Sequence, residues 1–171
     1  MQASRGLPCK ISMTSPEERL RELGIILPGL PPPLGSYVPA VRTGNLLFLS
    51  GMLPLKEGTL MHTGRVGEGV SLGEAQEAAR QAVVNALSVI KATAGSLDAI
   101  VQCIKVTGYV ASGPDFFEQP KVLNAASDLL RVIFGDKGRH ARAAVGVSVL
   151  PLNAPIEIDF IFEMMGQNTI I

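Results

Sequence analysis

From Ile156 to Phe162 every second residue is apolar. Ile156, Ile158, Phe160 and Phe162 are apolar, and two of the intervening residues, Glu157 and Asp159, are carboxylates. A period of two is the side-chain geometry of a β-strand and puts the acids on one face and the hydrophobes on the other. Upstream, Arg139, His140 and Arg142 open a valine-rich apolar run, Ala143 to Leu150, suited to a half-buried strand. The segment Pro151-Leu152-Asn153-Ala154-Pro155 breaks that run with turn chemistry. Read as a hairpin, the stretch pairs Leu150 with Ile156 and sets Val149 opposite Glu157. Arg142 then lies on the order of 23 Å from that pair at the roughly 3.3 Å rise of a strand. Arg142 and Glu157 of one chain are therefore not expected to meet, and a site that uses both needs a second subunit to bring one of them.

The rest of the chain supplies two long helices and further strands. Ser15, Pro16 and Glu18 form an N-cap, a first-turn proline and a capping box for a short helix that stops at Gly24. Pro28 to Pro33 reads as a stiff extended connector. Tyr37–Val41 and Leu46–Gly51 read as strands around the tight turn at residues 42–45. Residues 55–70 read as a long loop. Its Gly67-Glu68-Gly69 lacks the third glycine of a dinucleotide fingerprint, and the bare Ser88/Lys91 pair has no companion motif. Ser71 to Ala94 carries an apolar stripe (Ala79, Ala82, Val83, Ala86, Leu87, Ile90) ended by Gly95. Ile100 to Ala111 reads as a strand with Ile104, Val106 and Val110 on one face and Cys103, Lys105, Thr107 and Tyr109 on the other. Pro114 to Phe134 reads as a second helical segment, broken near Pro120. The expected architecture is α+β, a mixed β-sheet with both long helices on one face. The other face, with Cys103, Thr107, Tyr109, Glu157 and Ile161, is too apolar to stand in water and too polar for a core, which favours packing against copies of itself. The expected organisation is a disordered or extended start (1–12), a short helix and proline-rich connector (13–34), a main domain (35–165) and a tail (166–171).

Composition narrows the function. Fifteen basic and fifteen acidic residues cancel, and 5% of the chain is aromatic, which argues against an electrostatic nucleic-acid footprint. Cys9 and Cys103 form neither a disulfide framework nor a zinc pattern, and His62 has no partner at metal-ligand spacing. With no signal-like start and no span of about 20 apolar residues, a reducing, cytoplasmic compartment is expected.

An ordered set of short segments resembles the YjgF/RidA family, also called the L-PSP endoribonuclease family. The set comprises Gly35-Ser36-Tyr37, Thr43 to Pro54 (TGNLLFLSGMLP), Arg80-Gln81 with Asn85, Asn124, Ala141-Arg142, Leu150-Pro151 and Ile156-Glu157-Ile158. Order and spacing hold over about residues 35–163. The resemblance implies a chorismate-mutase-like fold and a homotrimer with clefts between subunits. It also implies hydrolysis of reactive enamines and imines, such as 2-aminoacrylate, to 2-keto acids and ammonia, with no metal or organic cofactor. Arg142 matches the residue that holds the substrate carboxylate, for which a planar two-pronged donor is suited. Glu157 matches the acid that positions or activates water. Tyr37, Ser50 and Asn124 match cleft-lining positions, with backbone near Ala144 completing the pocket. The chain departs from the family pattern at Ala144, at Met52 on the cleft side of Ser50-Gly51, and at Ser127, where an aromatic is common.

Each residue also has a plainer reading. Arg142 suits a strand-end ion pair, Glu157 an interface acid, Tyr37 and Ser50 simple packing, Asn124 a helix–loop hydrogen bond, Arg139 and His140 a solvated turn, and Cys103 a small packed residue. Two other functions compete with the deaminase: a non-catalytic trimer that binds a small carboxylate, and an endoribonuclease or translation inhibitor.

Overall fold

The computed structural model describes residues 14–30 and 36–166. Cys9 and part of the proline connector, residues 31–33, lie outside them. The first helix, α1 (Pro16–Glu22), starts where its chemistry predicts: the Ser15 side chain accepts from the Glu18 amide, and the Glu18 carboxylate accepts from the Ser15 amide. Arg19 then donates to the carbonyls of Val132 and Ile133, and Glu17 pairs with Lys91 at 2.8 Å, so α1 is tied to the outer layer of the fold.

The strands β1 (Ala40–Thr43), β2 (Leu46–Met52), β5 (Ile100–Ala111), β6 (Ala141–Val147) and β7 (Ile156–Met164) form one five-stranded sheet in the order β1-β2-β7-β5-β6. All neighbours are antiparallel except β5 and β6, which run parallel. The long helices α2 (Leu72–Ala94) and α3 (Gln119–Phe134) cover one face, and their alanine, valine and leucine stripes close the core against Leu47, Leu49, Val106, Ile156, Ile158, Phe160 and Phe162. Close approach is built in at Gly108, where an added Cβ would stand 2.3 Å from the Leu123 side chain of α3.

Four expectations are corrected. The 138–159 stretch is not a hairpin, because β5 lies between β6 and β7 and pairs with both. The turn at Pro151–Asn153 therefore carries the chain across a strand, with Leu152 and Asn153 at positive φ. In β5 the pairing with β7 shifts between Cys103 and Lys105, which turns Cys103 into the core and Ile104 outward. The proline at 120 does not break α3 but sits in its first turn, where a missing N–H costs nothing. The 55–70 loop contains a small hairpin, β3 (Leu55–Lys56) with β4 (Thr59–Leu60), and Val66 bridges to Ser112.

Candidate functional site

The residues singled out in the sequence fall into two groups on opposite faces of the sheet. On the open face, away from the helices, Glu157 projects beside Tyr109, its register partner on β5. The pairing of β2 with β7 is irregular between Leu49 and Met52, and the Ser50-Gly51 step lies in this break. An added Cβ on Gly51 would stand 1.8 Å from Glu157 Oε1, so the carboxylate occupies the space that glycine leaves. Ser50 Oγ donates to the Val38 carbonyl at 2.7 Å, and the Ser50 amide donates to the Pro39 carbonyl. These bonds hold the segment carrying the exposed Tyr37 against the same end of β2. Met52, beyond the irregularity, is buried in the core and is not a cleft residue.

Glu157 is half-buried and has no hydrogen-bonding partner among the described residues. Burial, and then the nearby Asp159 carboxylate, push its pKa above the ordinary glutamate value. Asp159 itself is engaged, accepting from the Tyr109 hydroxyl at 3.1 Å. Of the neighbouring pair Glu157 and Asp159, Glu157 is thus the one left to meet a water or ligand.

The second group is on the helix side, at the open edge formed by β6. Arg142 is opposite Val106 in register, and its Nη1 donates to Asn124 Oδ1 and Ser127 Oγ on α3, each at 3.0 Å. The guanidinium is half-buried and forms no ion pair among the described residues. Ala144, two residues on, is opposite Gly108 and packs against the core. Sequence reading weighed His140 as added positive potential for the cleft or a solvated turn and Ser127 as a departure from the family pattern, but did not join them to Arg142. His140 Nε2 is 3.0 Å from Ser127 Oγ, and His140 Nδ1 is 2.7 Å from the Gly138 carbonyl. Burial lowers the His140 pKa; the Gly138 bond opposes it less strongly, and the Arg142 charge adds a still smaller lowering. No local pattern announces a contact between a loop and a helix thirteen residues apart; the histidine-arginine spacing was the available signal.

Along β5 the partners of Arg142 and Glu157, Val106 and Tyr109, are three residues apart. With two strand spacings between β6 and β7, the two backbones are about 14 Å apart. The side chains also point to opposite faces. One chain does not join them, and the reason is the face each occupies as much as the distance.

The remaining candidates are structural in this fold. Cys103 is buried, and burial pushes its thiol pKa up to about 12, so it is no nucleophile. His62 stands against Glu77 at 3.4 Å and Glu74 at 3.8 Å on the outer surface of α2. Among the described residues no three metal-ligating side chains gather, and no helix is long and apolar enough to cross a membrane.

The family model described as "YjgF/chorismate mutase-like, putative endoribonuclease" matches residues 17–164. The match begins ahead of residue 35, where the motif resemblance starts, and takes in most of α1. Protein TCP17 of Trypanosoma cruzi is 40% identical over 146 residues, covering 85% of this chain and 91% of its own. A 2-iminobutanoate/2-iminopropanoate deaminase of Dermatophagoides farinae is 31% identical over 137 residues, covering 80% and 92%. Among solved structures, the protein Atu1372 of Agrobacterium tumefaciens, whose function is unknown, is 47% identical with a TM-score of 0.80, covering 87% of this chain and 91% of that one.

Proposed function

The chain belongs to the YjgF/RidA family, and from that membership together with the geometry of Arg142 and Glu157 we propose that it hydrolyses small 2-imino acids and their enamine tautomers, such as 2-aminoacrylate, to 2-keto acids and ammonia. Its architecture is that family's chorismate-mutase-like α+β fold. In this reading it acts in a reducing, cytoplasmic setting, in keeping with the unpaired Cys103. The observation that carries the reading is the Glu157 carboxylate, half-buried, raised in pKa and without a partner among the described residues. That is the state expected of a general base that must hold and deprotonate one water near neutral pH.

The chemistry asks little else of the protein. Arg142 binds the substrate carboxylate through a guanidinium that its helix contacts already orient. The water held by Glu157 adds to the C=N carbon, and collapse of the resulting amino alcohol expels ammonia and leaves the keto acid. Most of the acceleration comes from fixing the electrophilic carbon against the water. Because the two groups occupy opposite faces of one sheet, the complete site combines Arg142 of one copy with Glu157 of another. The open face, where Val41, Phe48, Ile104 and Val145 are exposed around Glu157 and Tyr109, is the surface on which copies pack into a homotrimer.

The direct assay supplies freshly generated 2-iminopropanoate and follows ammonia and pyruvate. Turnover by the parent and a loss of kcat/KM of about 10–100-fold in Arg142→Ala, the worth of a charged hydrogen-bonded anchor, is the expected pattern. An Arg142→Ala variant as fast as the parent removes the arginine from the site. Tight binding of a 2-keto acid with no imine turnover selects a binding protein instead of an enzyme.

A further inference from the structure

We propose that Ser127 and His140 form a hydrogen-bond relay that sets the direction of the Arg142 guanidinium, and so act as positioning residues for carboxylate recognition. This deepens the reading above and rests on Arg142 receiving the substrate carboxylate.

The direction of every bond in the relay follows from donor and acceptor chemistry. The Gly138 carbonyl can only accept, so His140 Nδ1, 2.7 Å away, carries the proton. In the neutral ring Nε2 is then an acceptor, and the Ser127 hydroxyl 3.0 Å away donates to it. With its proton committed to the ring, Ser127 Oγ can only accept from Arg142, whose Nη1 is 3.0 Å off. Asn124 Oδ1 accepts the second Nη1 hydrogen at 3.0 Å. Nη1 is thereby saturated, and the edge formed by Nε and Nη2 remains whole, which is the fork that takes a carboxylate two-pronged.

The relay is anchored at its far end. An added Cβ on Gly138 would stand 2.3 Å from the Leu130 carbonyl of α3, so the loop bearing His140 is pressed onto the helix bearing Ser127 and Asn124. Loss of the imidazole frees the Ser127 hydroxyl to turn back to a carbonyl of its own helix, a bond open to any mid-helix serine, and one of the two oxygens that hold Nη1 swings away. The lowered pKa of His140 agrees with a ring that stays neutral beside Arg142.

Two measurements test the relay. In the folded protein above the usual histidine titration range, nitrogen-15 shifts of the His140 ring should show a protonated Nδ1 and a bare Nε2; a proton on Nε2 overturns the relay without any variant having to fold. In the imine assay, Ser127→Ala and His140→Leu should each raise KM about tenfold while kcat changes less than twofold, and Ser127→Thr, which keeps the hydroxyl, should restore KM to within about threefold of the parent. Unchanged KM in Ser127→Ala, or a fall in kcat alone, overturns the proposal. Affinity for 2-oxobutanoate, measured by calorimetry on the same proteins, separates the two readings. The same pattern in binding without imine turnover in the parent supports the relay and removes the deaminase, whereas a parent that neither binds nor turns over overturns both.

Discussion

Glu157 is held over a glycine because only a glycine leaves room for it: the Cβ of any other residue at position 51 would meet its Oε1. A Gly51→Ala variant should therefore displace the carboxylate and lose at least tenfold in kcat with KM little changed, read from steady-state kinetics. The raised pKa gives a second expectation with a definite sign. A base works only when ionised, so the rate should be low where Glu157 is protonated and rise with pH through its pKa. Burial and Asp159 push that pKa up, so the ascending limb of the kcat/KM profile should fall above the ordinary glutamate range. In Glu157→Gln that limb should disappear, with activity reduced by about 10²–10⁴-fold. At this scale the sequence named Arg142 and Glu157 because a two-pronged cation and an acid on an alternating strand are recognisable types. It named Ser127 only as a departure from the family pattern and His140 only as a turn residue, since a serine inside a helical stripe and a histidine in a turn acquire their contacts with Arg142 only across the fold.

At the scale of elements, capping chemistry and periodicity carry most of the legibility. The Ser15 capping box and the Gly95 stop are local devices on which α1 begins and α2 ends, and in the structure Ser71 and Glu74 form a second such box at the start of α2. Ser71→Ala should cost about 1 kcal/mol, measured as a lower urea midpoint at unchanged m-value. Gly108→Ala should cost about 1–3 kcal/mol in the same measurement, because its Cβ meets Leu123 where α3 lies on β5. What was not legible is strand order. The turn at 151–155 announces a reversal, yet whether the next strand pairs with its neighbour or crosses one depends on β5, some forty residues upstream in sequence. The inward turn of Cys103 has the same origin, as the irregularity sits in the pairing of β5 with β7 and leaves no mark in the alternation of β5 alone.

For the whole molecule, the sheet's two faces differ in what covers them. One is covered by α2 and α3 and carries Arg142 at its edge; the other is open, apolar-rich and carries Glu157. Face counting from the sequence anticipated an uncovered side, and the hairpin estimate reached the separation of the two groups through a pairing that does not exist. If both groups serve one site, their separation by face requires a second copy. Sedimentation should report a trimer, and a charge placed on the open face, such as Phe48→Lys, should shift it toward monomer and abolish imine turnover together. The most direct test of shared sites mixes two impaired variants, Arg142→Ala and Glu157→Gln, unfolded and refolded together in equal amounts. If each site takes its arginine and its acid from different copies, about one cleft in four regains both groups and about a quarter of parental activity returns; if mixing restores nothing while each variant alone still assembles, the two groups do not serve one site across subunits.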